Sequence, residues 1–203
     1  AEMPTIKADS EGFLNLQGAD PVSPKMPEGI SVMKVTPVRP IKETLNFETF
    51  LDELRGFRSK VLSNPKVHLI SGKRSLVKER STGLLLGSQH APDGLAQDRD
   101  RVRQLFDSGL RVMAITYNGG GEYVGKDGHL NEKGEQLITW MNEYGMMLDV
   151  SHASHQVTLE ALELLWGQHS FIPPMASHSG CFAVHPHERN LRDEVIQQIR
   201  RMG

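Results

Sequence analysis

From residue 84 onward, hydrophobic positions fall into two alternating patterns. Short continuous apolar runs at Leu84–Gly87, Leu110–Tyr117 and Met146–Val150 read as strands buried on both faces of a parallel sheet. A fourth run, Phe171–Ala176, has the same character, weakened by Pro173 and Pro174, which cannot donate to a ladder. Between the runs, apolar residues recur every three or four positions. A helix is expected from Gly94 to Asp107, with Asp93 as cap and Leu95, Val102, Leu105 and Phe106 inward. Asn131 caps a second, to Tyr144, with Leu137, Ile138 and Met141 inward and Gly145 as its stop. Ser154 caps a third, to Gly167, on Val157, Ala161, Leu164 and Leu165. Leu191, Val195, Ile199 and Met202 make a last helix running to Gly203.

Upstream the texture differs. Residues 1–46 carry Pro4, Pro21, Pro24, Pro27, Pro37 and Pro40, which exclude long helices; one alternating run, Ile30–Val35, reads as a strand. A helix capped by Asn46 or Thr44 follows, on the stripe Phe47, Phe50, Leu51, Leu54, Phe57 and Val61. Strand and helix alternate in units of about 30 residues, the size of a βαβ repeat. The fold class is α/β with a parallel sheet, either a (β/α) barrel or a doubly wound sheet. A complete eight-unit barrel takes about 250 residues, and this chain has 203. The reading is therefore one domain over 1–203 with an irregular proline-rich part at 1–46. As a barrel it is incomplete, either a fragment or one finished by a partner, so that a homodimer is one arrangement to test.

Composition narrows the function. The 23 Lys and Arg against 25 Asp and Glu give a net charge of −2, which disfavours a nucleic-acid surface. The single cysteine, Cys181, excludes a disulfide framework and Cys-based zinc clusters. No apolar run approaches the roughly 20 residues of a membrane helix, and the first residues lack the form of a signal peptide. The expected compartment is the cytoplasm, or outside it if a leader has been cleaved.

In parallel α/β folds the ligand site forms where strands end. Here the strand ends carry Ser88, Gln89 and His90; Tyr117 and Asn118; Asp149, Ser151 and His152; and Ser177, His178 and Ser179. Two Ser-His pairs thus stand at equivalent places in consecutive units. Neighbouring parallel strands lie about 4.8 Å apart, so the two imidazoles are placed to meet on one cation, or else each is a hydrogen-bonded interior histidine. Elsewhere the default readings are bland. Gly119-Gly120-Gly121 is a substrate loop rather than a phosphate cradle, His185 and His187 lie in a solvated loop, and Cys181 packs as a small apolar group. His68, His129, His155 and His169 are surface or cap residues, and Lys73, Arg74, Lys78 and Arg80 form a solvated helix face.

The wording of the later segments goes further. LGSQHAP (86–92), GLRVMAITYNGGG (109–121), GHLNEKGEQLITWMNEYGMMLDVSHAS (128–154) and SHSGCFAVHPHERNLRD (177–193) resemble, in order and spacing, the membrane (renal) dipeptidase family, peptidase family M19. The resemblance implies a zinc-dependent TIM-type (β/α) barrel that hydrolyses dipeptides. In that family a glutamate bridges two zinc ions, two histidines bind one ion and an N-terminal His-x-Asp binds the other. By position His152 and His178 match the histidine ligands. Arg189 matches the arginine that binds the substrate carboxylate, a role suited to a guanidinium fork.

The departures are specific. Gln89 stands where the bridging glutamate is expected, and Tyr117 replaces a catalytic histidine. No His-x-Asp lies near the N-terminus, where Asp9 and Glu11 are the nearest acidic residues. The resulting site has His152, His178 and Gln89 as metal ligands, with His90 and Asp149 as further candidates. Asp149 alternatively accepts a hydrogen bond from a ring nitrogen. Tyr117 and Arg189 serve in catalysis, and Arg189, Tyr117 and Asn118 bind substrate. The expected cofactor is zinc, one or two ions, and the expected partner is a dipeptide. The competing reading is a degenerate relative that binds a small ligand or partner without turnover.

Overall fold

The computed structural model describes residues 8–12, 32–37, 46–72, 75 and 81–203. Six parallel strands form one sheet: β1 (Ala8–Gly12), β2 (Val32–Val35), β3 (Val67–Leu69), β4 (Thr82–Ser88), β5 (Leu110–Met113) and β6 (Met147–Leu148). Their order is β1-β2-β4-β5-β6, with β3 pairing β4 alongside its first residues. The strands progress in sequence order from edge to edge, as in a barrel and not a doubly wound sheet. Among the described residues the sheet remains open.

Five helices complete the units: α1 (Phe47–Leu62), α2 (Arg99–Asp107), α3 (Glu132–Tyr144), α4 (His155–Gly167) and α5 (Asp193–Met202). The expected caps form where the sequence places them. Asn46, Asn131 and Ser154 each accept a backbone N–H from the first turn of α1, α3 and α4, and Gly145 closes α3 in the left-handed region that favours glycine. The predicted stripes are buried: Phe50, Leu54 and Phe57 on α1, Leu137, Ile138 and Met141 on α3, and Val157, Ala161 and Leu165 on α4 pack against Leu84, Leu86 and Leu110 of the sheet.

Four expectations change. The helix expected over 94–107 is divided into a 3₁₀ turn at Leu95–Gln97 and α2, because Asp98 is extended and caps the second piece by accepting from Asp100 N. Tyr123 holds the first piece in place: its buried hydroxyl donates to Pro92 O at 2.6 Å and accepts from Leu95 N at 3.1 Å. The strand expected over 110–117 ends at Met113, since Thr116 Oγ1 donates to Gly120 O at 2.6 Å and turns the chain. No strand forms over 171–176; Met175 alone bridges Asp149, and Phe171 is exposed. β1 and β3 were not anticipated, and neither a polar pentapeptide nor a three-residue strand carries a usable alternation. Thr44 and the Lys73, Arg74, Lys78, Arg80 cluster lie outside the described residues.

Candidate metal centre

The strand ends of β5, β6 and the Met175 bridge converge. After β6 the chain turns at His152, which adopts the left-handed conformation (φ 73°). This region costs a non-glycine residue about 1–2 kcal/mol and occurs mostly where surrounding contacts impose it. Those contacts come from the 117–119 loop: Gly119 N donates to His152 O at 3.0 Å, and His152 Nδ1 lies 3.0 Å from Asn118 Oδ1. Asn118 is itself left-handed (φ 53°). The Tyr117 ring stacks on the His152 imidazole, with centroids 4.2 Å apart.

His178 is held differently. Asp149, fully buried, gathers the two strand ends: its Oδ1 accepts from Ser151 N (3.0 Å) and Ser177 N (3.1 Å), and its Oδ2 accepts from Ser177 Oγ (2.5 Å). Ser177 Oγ in turn lies 2.8 Å from His178 Nδ1. Ser151 Oγ accepts from His178 N at 3.1 Å. The segment after the Met175 bridge is thereby braced on the end of β6.

These bonds assign protons. Asn118 Oδ1 is an acceptor only, so His152 Nδ1 donates to it. Ser177 spends its one O–H on Asp149, so its oxygen accepts from His178 Nδ1. The two Nε2 atoms face each other 2.7 Å apart. A nitrogen–nitrogen contact that short holds a proton between the rings, and a cation can take the proton's place. Two zinc ligands at 2.0–2.1 Å in tetrahedral geometry would be about 3.3 Å apart, so a small spreading of the rings admits an ion. The donor set fits a metal on this ground. Burial first, then the Arg189 guanidinium and His178, push His152 down to about 4. At neutral pH the ring is thus uncharged.

A cleft of about 480 Å³ opens beside the pair, lined by Asn118, His152, Phe182, Glu188, Arg189 and Arg192 among others. The loop that delivers Arg189 is clamped by Asn190, whose Oδ1 accepts from Gly180 N and whose Nδ2 donates to His185 O. Arg189 N donates to His187 Nδ1 at 3.1 Å.

The structure thus brings together Tyr117, Asn118, His152, His178 and Arg189. Gln89 is buried just past the end of β4. His90 is half-buried, and its buried Nδ1 has no hydrogen-bond partner among the described residues. Among the described residues no group of three or more His, Cys, Asp or Glu side chains converges on a metal position. Asp149 reaches a ring nitrogen only through Ser177, a link that no spacing in the sequence announces. Two bland readings change: Cys181 is exposed rather than packed, and His68 is half-buried between Ser81 Oγ and Ser75 O. His155 opens α4 beside its cap, as expected, and pairs with Glu194 of α5 at 2.7 Å.

The order and pairing of the strands define a fold of the (β/α)-barrel kind, incomplete among the described residues. Over 98% of its length the chain superposes on an amidohydrolase from Pseudomonas aeruginosa with a TM-score of 0.81 and 20% identity, spanning 60% of that chain. A metallo peptidase from Rhodobacter sphaeroides, liganded with a phosphinate mimic of the dipeptide L-Ala-D-Ala, gives a TM-score of 0.76 at 17% identity over 98% of this chain and 72% of that one. The family model of the membrane dipeptidases (peptidase family M19) matches residues 24–203, and the chain belongs to that family. It is 31% identical over 111 residues to an uncharacterized dipeptidase of Schizosaccharomyces pombe. That overlap is 50% of this chain and 26% of the relative's length. No helix among the described residues is long and apolar enough to cross a membrane.

Proposed function

We propose that this chain is a metal-dependent hydrolase that cleaves dipeptides or similar small amides. The observation that carries the proposal is the meeting of His152 and His178, their Nε2 atoms 2.7 Å apart beside an arginine-bearing cleft. His152 and His178 hold the ion, and Gln89 offers a neutral carbonyl oxygen as a further ligand. Bound zinc supplies Lewis-acid polarisation of the scissile amide and of the attacking water. The protein's own groups do the rest. Arg189 pairs with the C-terminal carboxylate of the dipeptide and sets its register. Asn118 fixes His152 and borders the same cleft. The Tyr117 phenol, flat against His152, donates a hydrogen bond to the substrate carbonyl oxygen as charge develops on it.

The test is metal content and turnover of a dipeptide panel, for the chain as it stands and for His152→Ala. Zinc-dependent turnover lost in the variant is the expected result. Turnover unchanged in His152→Ala overturns the proposal. A second reading, a relative that binds a small ligand without turnover, draws on Gln89 and on the missing third acidic or imidazole ligand among the described residues. Tight dipeptide binding by calorimetry with no hydrolysis would select it.

A further inference from the structure

The cleft beside the histidines holds two guanidinium groups, and the reading above uses one. Arg189 and Arg192 both line it, three residues apart on the loop that leads into α5. Backbone bonds fix that loop to the segment after His178: Gly180 O accepts from Leu191 N at 2.9 Å, and Leu191 O accepts from Phe182 N at 2.8 Å. Gly180 leaves room for the clamp, since a Cβ there would stand 2.8 Å from Asn190 Oδ1. The same ladder sets Arg192 against Phe182, with the guanidinium carbon 5.2 Å from the ring centroid. An aromatic face steadies a guanidinium and leaves its N–H edge free for a carboxylate.

Of the titratable groups lining the cleft, His155 is taken up by Glu194 at 2.7 Å. Among the described residues, Arg189, Arg192 and Glu188 form no ion pair. The free charges on the walls are therefore two positive and one negative. A dipeptide with apolar side chains brings one carboxylate and one ammonium, and leaves a guanidinium unmatched. A dipeptide with one acidic side chain brings two carboxylates and one ammonium, the complement of the set. We propose, resting on the function above, that Arg192 is a specificity-determining residue. Stacked on Phe182, it takes the side-chain carboxylate of a dipeptide whose C-terminal residue is aspartate or glutamate, while Arg189 takes the terminal carboxylate. The acidic residue is the C-terminal one because its two carboxylates, a few bonds apart, then fall on one clamped loop. The scissile carbonyl is left toward His152, which lines the same cleft.

The test compares the full chain with Arg192→Met and Arg192→Glu, with zinc present, by calorimetry and by turnover. The peptides are Ala-Asp, Ala-Asn, Asp-Ala, Asn-Ala and Ala-Lys, each with L and D residues at the second position. Ala-Asp and Ala-Asn match in shape and differ in charge. The unchanged chain should favour Ala-Asp over Ala-Asn about 10-fold, the low end for a charge-assisted contact because Arg192 is exposed to solvent. Asp-Ala should gain nothing over Asn-Ala. Arg192→Met should bring the ratio of Ala-Asp to Ala-Asn close to one, and Arg192→Glu should turn the preference toward Ala-Lys. Equal handling of Ala-Asp and Ala-Asn by the unchanged chain, or a preference that survives Arg192→Met, overturns the inference and leaves the hydrolase reading standing. Selective binding of Ala-Asp that Arg192→Met abolishes, without turnover of any peptide, upholds the role of Arg192 and defeats the hydrolase reading. No binding and no turnover of any peptide defeats both.

Discussion

The two Ser-His pairs are the same dipeptide, one following β6 and the other the Met175 bridge, yet the fold anchors them by different means. His152 is held from outside its unit. Its ring bonds to Asn118 across the 117–119 loop and its left-handed backbone is pinned by Gly119. His178 is held by its own neighbour, with Ser177 bridging the ring to a buried carboxylate. The products are alike: two rings with their Nε2 atoms together. The lesson is that a strand-end histidine is made a ligand by whatever fixes its other nitrogen, and that this partner need not share the local sequence.

The largest expected effects fall on both members equally. His152→Ala and His178→Ala should each remove zinc from the protein and lower kcat/KM by about a thousand-fold or more, near 4 kcal/mol of transition-state stabilisation. Metal analysis and steady-state assays check this. A marked inequality between the two variants would show that the ion rests on one ring alone.

Next comes Arg189, whose field falls on His152. Arg189→Met should raise KM about a hundred-fold with a smaller change in kcat, the loss of a charge-assisted contact of about 2–3 kcal/mol. Zinc affinity should be preserved, since Arg189 repels rather than holds the cation. A fall in zinc content would place the arginine in the metal site and not on the substrate.

Asn118→Ala separates the two anchoring modes directly. It should release the His152 tautomer, leave that of His178 intact, and weaken zinc about 10-fold or slightly more. Competition with a chromophoric chelator measures the affinity, and ¹⁵N histidine spectra the selectivity.

The smallest effect lies where the loop beyond Asn118 is tied down. Glu160 of α4 accepts from Leu130 N at 2.7 Å and pairs with His129 at 2.5 Å. The hydrogen bond to Glu160 raises His129 above its ordinary 6.5. Glu160, although burial pushes its carboxyl up, is held below its ordinary 4.5 by bonds from Gln156, Leu130 and His129. With the histidine raised and the glutamate lowered, the pair contributes fully between about pH 4.5 and 6.5. That contribution declines as pH rises through the native His129 value and as it falls through the native Glu160 value. Thermal unfolding across pH should show a small excess of Tm over Glu160→Gln in that window, shrinking on both sides.

How much of this was legible follows from the same contrast. Ser151-His152 and Ser177-His178 stand out because each follows an apolar run and precedes a capped helix or a turn, features of local sequence. The caps Asn46, Asn131 and Ser154 were legible for the same reason. The burial of Lys34 was not: a lysine in an alternating strand reads as solvent-facing, and only the pairing of β2 with β4 turns it inward over Gly87. Ser177 gains its role from Asp149, and Asn118 from His152, through contacts 28 and 34 residues apart. The split of the 94–107 segment depends on Tyr123 reaching back to Leu95, again a tertiary fact. Strand ends and their chemistry are written locally, whereas the hydrogen bonds that set ring protons are written in the packing.

The central claim is that His152 and His178 share one cation through their Nε2 atoms. Anomalous scattering at the zinc edge, from crystals grown with zinc, tests it without reference to turnover. The account predicts a peak between the rings, about 2.0–2.1 Å from both Nε2 atoms. Zinc bound elsewhere, or none between the rings at saturating metal, would contradict it.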